Sequence, residues 1–103
     1  MDRIALLSQV LEQNPTDAFA RYGLAMAYVA EGKTDEALSQ FSTLIGHNPD
    51  YVPAYQMSAQ TLAKLGRSDE AIGRLKTGLE AAQRTGNQHA HSEMQGMLDE
   101  LGG

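Results

Sequence analysis

Four side chains in this 103-residue sequence have the types and spacing from which a metal site or an acid–base pair could be built: His47, His89, His91 and Glu93. His89 and His91 are two positions apart, which on a helix turns them about 200° away from each other rather than toward one ion. His89 and Glu93 are four apart and share a face, but no cysteine, third histidine or nearby carboxylate completes a tetrahedral set around them. They are expected to be solvated side chains, with no metal and no cofactor. No glycine-rich phosphate loop follows a strand-like run, and no serine stands in a context that would expose a nucleophile. The carboxylate pairs Asp35-Glu36 and Asp69-Glu70 fall at helix starts, where the macrodipole accounts for them. A non-catalytic protein is therefore expected.

Composition narrows the classes further. Eight Lys+Arg against thirteen Asp+Glu give a formal charge of -5 and a pI near 5.0. Such a chain repels phosphate backbones, so nucleic acid is not an expected partner. Charged and polar residues interrupt every apolar stretch well short of the roughly 18 residues a spanning helix needs, so no membrane span is expected. The start, Met1-Asp2-Arg3-Ile4, lacks the basic region and apolar run of a signal peptide. The absence of cysteine removes disulfides, thiolate zinc sites and thiol nucleophiles together; it favours a cytoplasmic setting while leaving the compartment open. One small domain of this length buries roughly two thirds of its unfolded surface, which leaves little depth for an enclosed active site.

The elements come from an internal repeat. Asn14-Pro15 recurs as Asn48-Pro49, Gly32 as Gly66 and Asp35-Glu36-Ala37 as Asp69-Glu70-Ala71, each pair thirty-four residues apart. The same offset pairs Leu7-Ser8 with Phe41-Ser42 and Val10-Leu11 with Leu44-Ile45, so the sequence opens in the middle of a repeat. Apolar residues recur at three and four, which predicts helices over 2–13, 18–31, 35–47, 52–65, 69–83 and about 88–101. Gly32 and Gly66 supply helix-ending turns, Thr34 and Ser68 are expected to cap the helices that follow, and Asn48-Pro49 stops the third. Leu62, Leu65, Ile72, Leu75 and Leu79 are the apolar positions of the second pair. Ala25, Ala59, Ala37 and Ala71 are expected where backbones approach. In the last helix, strict spacing would place Glu93 and Gly96 at packing positions. A two-residue insertion places Met94 and Leu98 there and makes Asn87 the cap, and that reading is preferred. The closing Leu101-Gly102-Gly103 matches the tail of ubiquitin-like conjugation proteins, a strand-built fold; in a helical chain it reads as a helix ending in glycine.

Leu24-Ala25, Tyr28, Gly32, Ala37, Phe41 and Pro49 in one unit, with Tyr55, Ala59, Leu62, Gly66, Ala71 and Leu75 in the next, resemble the tetratricopeptide repeat, a 34-residue helix-turn-helix unit. Ser58 stands where that pattern has Leu, and Gln83 where it has Pro, which should weaken the second unit's terminal turn. The resemblance implies an all-α solenoid of stacked antiparallel helical hairpins with about six helices. It divides a single domain, 1–103, into an N-terminal half repeat (1–17), units at 18–51 and 52–85, and a C-terminal capping helix (86–103), whose polar face suits an array end.

In such arrays the first helices line a concave groove, and the residues placed there by the resemblance are Phe19, Tyr22, Met26 and Val29, then Pro53, Gln56, Gln60 and Ala63. The first set is apolar enough to hold a partner's apolar side chains, while the amides of Gln56 and Gln60 suit a ligand backbone. A protein or peptide ligand with apolar side chains is the expected partner. The alternative is that Phe19, Tyr22 and Met26 are buried under the N-terminal half repeat. Some members of the family hold a chaperone's terminal carboxylate with Lys, Asn and Arg. Here those places carry Tyr22, Met26, Gln56 and Gln60, with Pro53 and Met57 nearby, so such a clamp is not expected. A second function class is a homodimer formed through Ile4, Leu7, Val10 and Leu11 of the half repeat.

Overall fold

The computed structural model describes residues 2–103, and among these the chain forms six α-helices and no strand. They are α1 (Arg3–Gln13), α2 (Ala18–Ala30), α3 (Thr34–His47), α4 (Val52–Lys64), α5 (Ser68–Thr85) and α6 (Gln88–Glu100). The all-α class built of helical hairpins thus stands, with boundaries within two residues of those read from periodicity. The helices fall into two compact units, Met1–Asn48 and Pro49–Gly103, divided inside the Asn-Pro dipeptide that stops α3.

In the first unit α2 packs against both α1 and α3. Leu11 of α1 meets Ala20 and Leu24 of α2, and Ile4, Leu7 and Tyr28 close over them. Ala25 of α2 and Ala37 of α3 are wholly inaccessible, as expected of small residues at helix crossings, and Phe41 is buried with them. In the second unit α5 packs against α4 and α6, and α4 also touches α6. Its core takes Tyr55, Ala59 and Leu62 from α4, Ala71 and Leu75 from α5, and Met94 and Leu98 from α6.

Gly32 and Gly66 have φ of 74° and 78°, a region that side chains with a Cβ avoid. That conformation aims Lys33 N–H at Tyr28 O (2.9 Å) and Arg67 N–H at Leu62 O (2.9 Å), closing each helix in a Schellman turn. The same turn explains why Thr34 and Ser68 do not cap. Lys33 and Arg67, which complete the turns, are themselves the N-cap residues and make no side-chain cap bond, so the hydroxyls arrive one position late. Side-chain caps occur instead at Asp2, Asp17 and Asn87, which accept from Ala5 N–H (2.8 Å), Ala20 N–H (3.0 Å) and Ala90 N–H (3.0 Å). Asn87 was expected; the two aspartates were not.

With Gln83 in place of a proline, α5 continues to Thr85 and ends at Gly86. Those added residues shift α6, so that Met94 and Leu98 are buried while Glu93 and Gly96 face water, as the insertion requires. Leu65, by contrast, is 43% exposed rather than packed. The terminal glycines close α6 with Gly103 N–H on Leu98 O at 3.0 Å.

The second unit repacks what the first does with bulk. Tyr55 stands at the repeat position of Arg21, and Gly78 at that of the buried Leu44. A Cβ on Gly78 would lie 2.7 Å from both Tyr55 Cβ and Met94 Sδ, so the missing side chain is what admits the tyrosine. Both Arg21 and Tyr55 tie their first helix to the preceding proline. Arg21 Nη2 donates to Pro15 O at 2.9 Å, and Tyr55 Oη donates to Pro49 O at 2.7 Å. Ser58, in the place of Leu24, is fully buried, and its hydroxyl has no hydrogen-bond partner.

Candidate protein-binding surface

Asp17 caps α2 at a point that sets Phe19, Tyr22 and Met26 along one helical face, at spacings of three and four. The structure brings these three together with Arg3 and Leu6 of α1 around a cleft of about 400 Å³ inside the first unit. Gly23 lies at its base, where even a Cβ would only touch Leu7 at 3.4 Å. Phe19 is 81% exposed, so it is not covered by α1; Tyr22 and Met26 are half-buried. The Tyr22 ring leans on Phe41 of α3, with centroids 6.1 Å apart and planes at 60°, which fixes one edge of the cleft. Val29 is half-buried further along α2 and does not line it.

Arg3, Leu6 and Gly23 were not anticipated as part of this surface. The available signal was Leu6, an apolar residue beside the Ile4-Leu7-Leu11 stripe rather than on it. The apolar surface expected on α1 for self-association is redistributed in the same way. Ile4, Leu7 and Leu11 pack against α2, whereas Val10 and Leu6 are 43% and 51% exposed. Burial of the first three follows from the i, i+3, i+7 face of α1 that α2 covers.

In the second unit Pro53 and Gln60 are exposed on α4, and Gln56 and Ala63 are half-buried. Gln56 is not idle: its Nε2 donates to Glu93 Oε1 of α6 at 3.3 Å. His89 Nε2 stands 3.4 Å from the same oxygen. The His89–Glu93 pair is thereby an exposed i,i+4 contact within α6, whose carboxylate also receives Gln56 of α4. Among the described residues no three His, Cys, Asp or Glu side chains gather as a metal site would need. His91 lies apart, half-buried beside a more polar cleft of about 300 Å³ with Asn87 and Gln88. His47 occupies the last turn of α3, where a positive charge suits the macrodipole.

Two surface ion pairs of the second unit hold helix ends and turns. Arg67 Nη2 donates to Glu70 Oε1 at 2.8 Å, and that hydrogen bond keeps the Glu70 carboxyl below its usual pKa. Arg84 Nε donates to Asp50 Oδ1 at 2.7 Å and its Nη2 to Pro49 O at 3.2 Å; the bond to Asp50 raises the Arg84 pKa. Among the described residues no helix is long and apolar enough to cross a membrane.

The tetratricopeptide-repeat family model matches residues 4–58 and 28–92. A tetratricopeptide repeat domain protein from Salinibacter ruber is 33% identical over 85% of this chain and 89% of its own, with a TM-score of 0.80. A protein from Bordetella parapertussis is 26% identical, covering 99% of this chain and 89% of its own at a TM-score of 0.83. The TPR2B domain of yeast Sti1, solved in its pHsp70 complex, shares the fold: TM-score 0.88, 17% identity, 96% of this chain and 79% of that one. No curated protein matches significantly. Repeat spacing, paired helices with glycine turns and these matches agree, and the chain belongs to the tetratricopeptide-repeat family.

Proposed function

We propose that this protein is a non-catalytic interaction module, a single domain that binds a peptide or a helix of a partner protein. Phe19, Tyr22, Met26 and Val29 receive apolar side chains, and Gln56 and Gln60 offer amides to the ligand's polar groups. The observation that carries this reading is Phe19, a large aromatic residue 81% exposed at the rim of an apolar cleft. Exposed aromatic side chains over a preformed cleft are what recognition surfaces use, because they bury much area at little entropic cost. The fold agrees, since the Sti1 domain named above was solved in a complex with pHsp70. The ligand differs in kind from an acidic tail held by several cations, because Tyr22, Met26, Gln56 and Gln60 occupy those places.

Phe19 is the cleanest probe, since Tyr22 also supports Phe41. Phe19→Ala is expected to weaken partner binding at least about tenfold while leaving the melting temperature unchanged. Gln60→Ala, at an exposed position, should weaken binding by a smaller factor, again without loss of folding. Equal losses of binding and stability in Phe19→Ala would make the residue structural and contradict the proposal. A second reading, a homodimer, is favoured by the exposure of Leu6 and Val10 on α1. Light scattering across a dilution series separates the two: a dimer persisting at low concentration supports it, and a monomer that binds a partner supports the module.

A further inference from the structure

The first unit itself shows what kind of element its cleft is shaped to take. Where α2 lies on α3, Arg21 Nη1 donates to Gln40 Oε1 at 2.6 Å and the rings of Tyr22 and Phe41 pack at 6.1 Å, beside the buried Ala25 and Ala37. At the thirty-four-residue offset α1 corresponds to α3, so Leu6 and Leu7 hold the places of Gln40 and Phe41, and Arg3 that of Ala37. The face of α3 that a helix covers is therefore the face of α1 that bounds the open cleft.

The geometry points to an amphipathic helix from a partner protein as the occupant, seated against α1 and α2 as α2 is seated on α3, with an acidic side chain beside Arg3. This rests on the interaction-module reading and specifies the partner's form. Leu6 and Val10 on α1, and Phe19, Tyr22 and Met26 on α2, repeat at three and four. Two such walls present ridges that a third helix fits, whereas an extended strand would offer alternate side chains at a different period. Among the described residues lining the cleft Arg3 is the only charged one, and no described carboxylate pairs with it. A complementary ligand carries a negative charge there. Of this chain's own helices, α6 would be a poor occupant: it shows Glu93, Gln95, Gly96 and Asp99 to water, and its Met94 and Leu98 are already buried.

The test is selection on the full chain from two display libraries, one of short helix-forming peptides and one of proline-bearing extended peptides, followed by fluorescence anisotropy on the winners. Helical peptides with apolar residues at three and four and one acidic residue should be enriched. Leu6→Glu and Phe19→Ala should each weaken them about tenfold or more. Arg3→Glu should weaken them by about three- to tenfold, and exchange of the peptide's acid for lysine should restore binding to that variant. Should Leu6→Glu fail to fold by circular dichroism, Phe19→Ala and the charge exchange carry the test alone. Enrichment of extended peptides that need Phe19 but ignore Leu6 and Arg3 overturns the helix and keeps the interaction module. Winners indifferent to all three positions, or no winner from either library, overturn both. A wild-type dimer that Leu6→Glu dissociates assigns the cleft to a second copy and overturns the partner helix.

Discussion

At the scale of single residues, two departures from the repeat pattern make opposite predictions. Ser58 puts a hydroxyl with no partner into the core where its repeat counterpart Leu24 puts carbon. A buried unpaired polar group costs about 1–3 kcal/mol, so Ser58→Ala should leave stability unchanged or raise it, as read from the urea midpoint. A loss above about 1 kcal/mol would mean the hydroxyl is bonded after all. Gly78 answers in the other direction, because its absent side chain makes room for Tyr55 and Met94. Gly78→Ala should cost about 1–3 kcal/mol through overpacking. Gly73→Ala, inside the same helix but with nothing within 4 Å of the new Cβ, should gain about 0.5–1 kcal/mol. Sequence marked Ser58 as a departure but not Gly78. The need for a glycine there arises from Tyr55, twenty-three positions earlier, and a contact so distant leaves no local signature.

At the scale of the elements, periodicity and turn chemistry made the helices legible, while capping was legible only in part. Glycine turns and the Asn-Pro stop are local and survive into the structure, whereas Thr34 and Ser68 lose their capping role to the Schellman turn just before them. Asp17 has the larger consequence, since its cap sets where α2 begins and with it the face that carries Phe19. Asp17→Ala should cost about 1 kcal/mol in thermal or chemical unfolding, and Asp17→Asn should recover most of it. Thr34→Ala, which removes no cap bond, should cost little. The start of α5 carries a pH signature. Because Arg67 holds the Glu70 carboxyl below its usual pKa, the stabilisation from this pair is fully present above the ordinary carboxylate range and lost as acid carries the pH through the lowered value. Arg67→Gln should therefore lower the unfolding midpoint slightly at neutral pH, and the difference from wild type should vanish in strong acid. A difference that persists in acid would place the effect outside the ion pair.

At the scale of the whole molecule, the family and the helical architecture were legible because a thirty-four-residue period is written into the landmarks themselves. The candidate surface was legible in one half. The repeat resemblance put Phe19, Tyr22 and Met26 on the groove face, but Leu6 and Arg3 belong to a helix whose Ile4, Leu7 and Leu11 turn inward, and only packing shows which of its residues stay out. The large exposed apolar residues of the first unit, Leu6, Val10 and Phe19, lie on the two helices that frame the cleft, while Asp17 and Arg21 are tied into the start of α2 and the turn before it. The central claim is that the cleft between α1 and α2 recognises another polypeptide. It is tested most directly by following backbone amides of the labelled protein by NMR while a selected peptide binder is added. Shifts centred on Leu6, Phe19, Tyr22 and Met26 are the expected result; shifts confined to other helices, with these four amides unmoved at saturation, would contradict it.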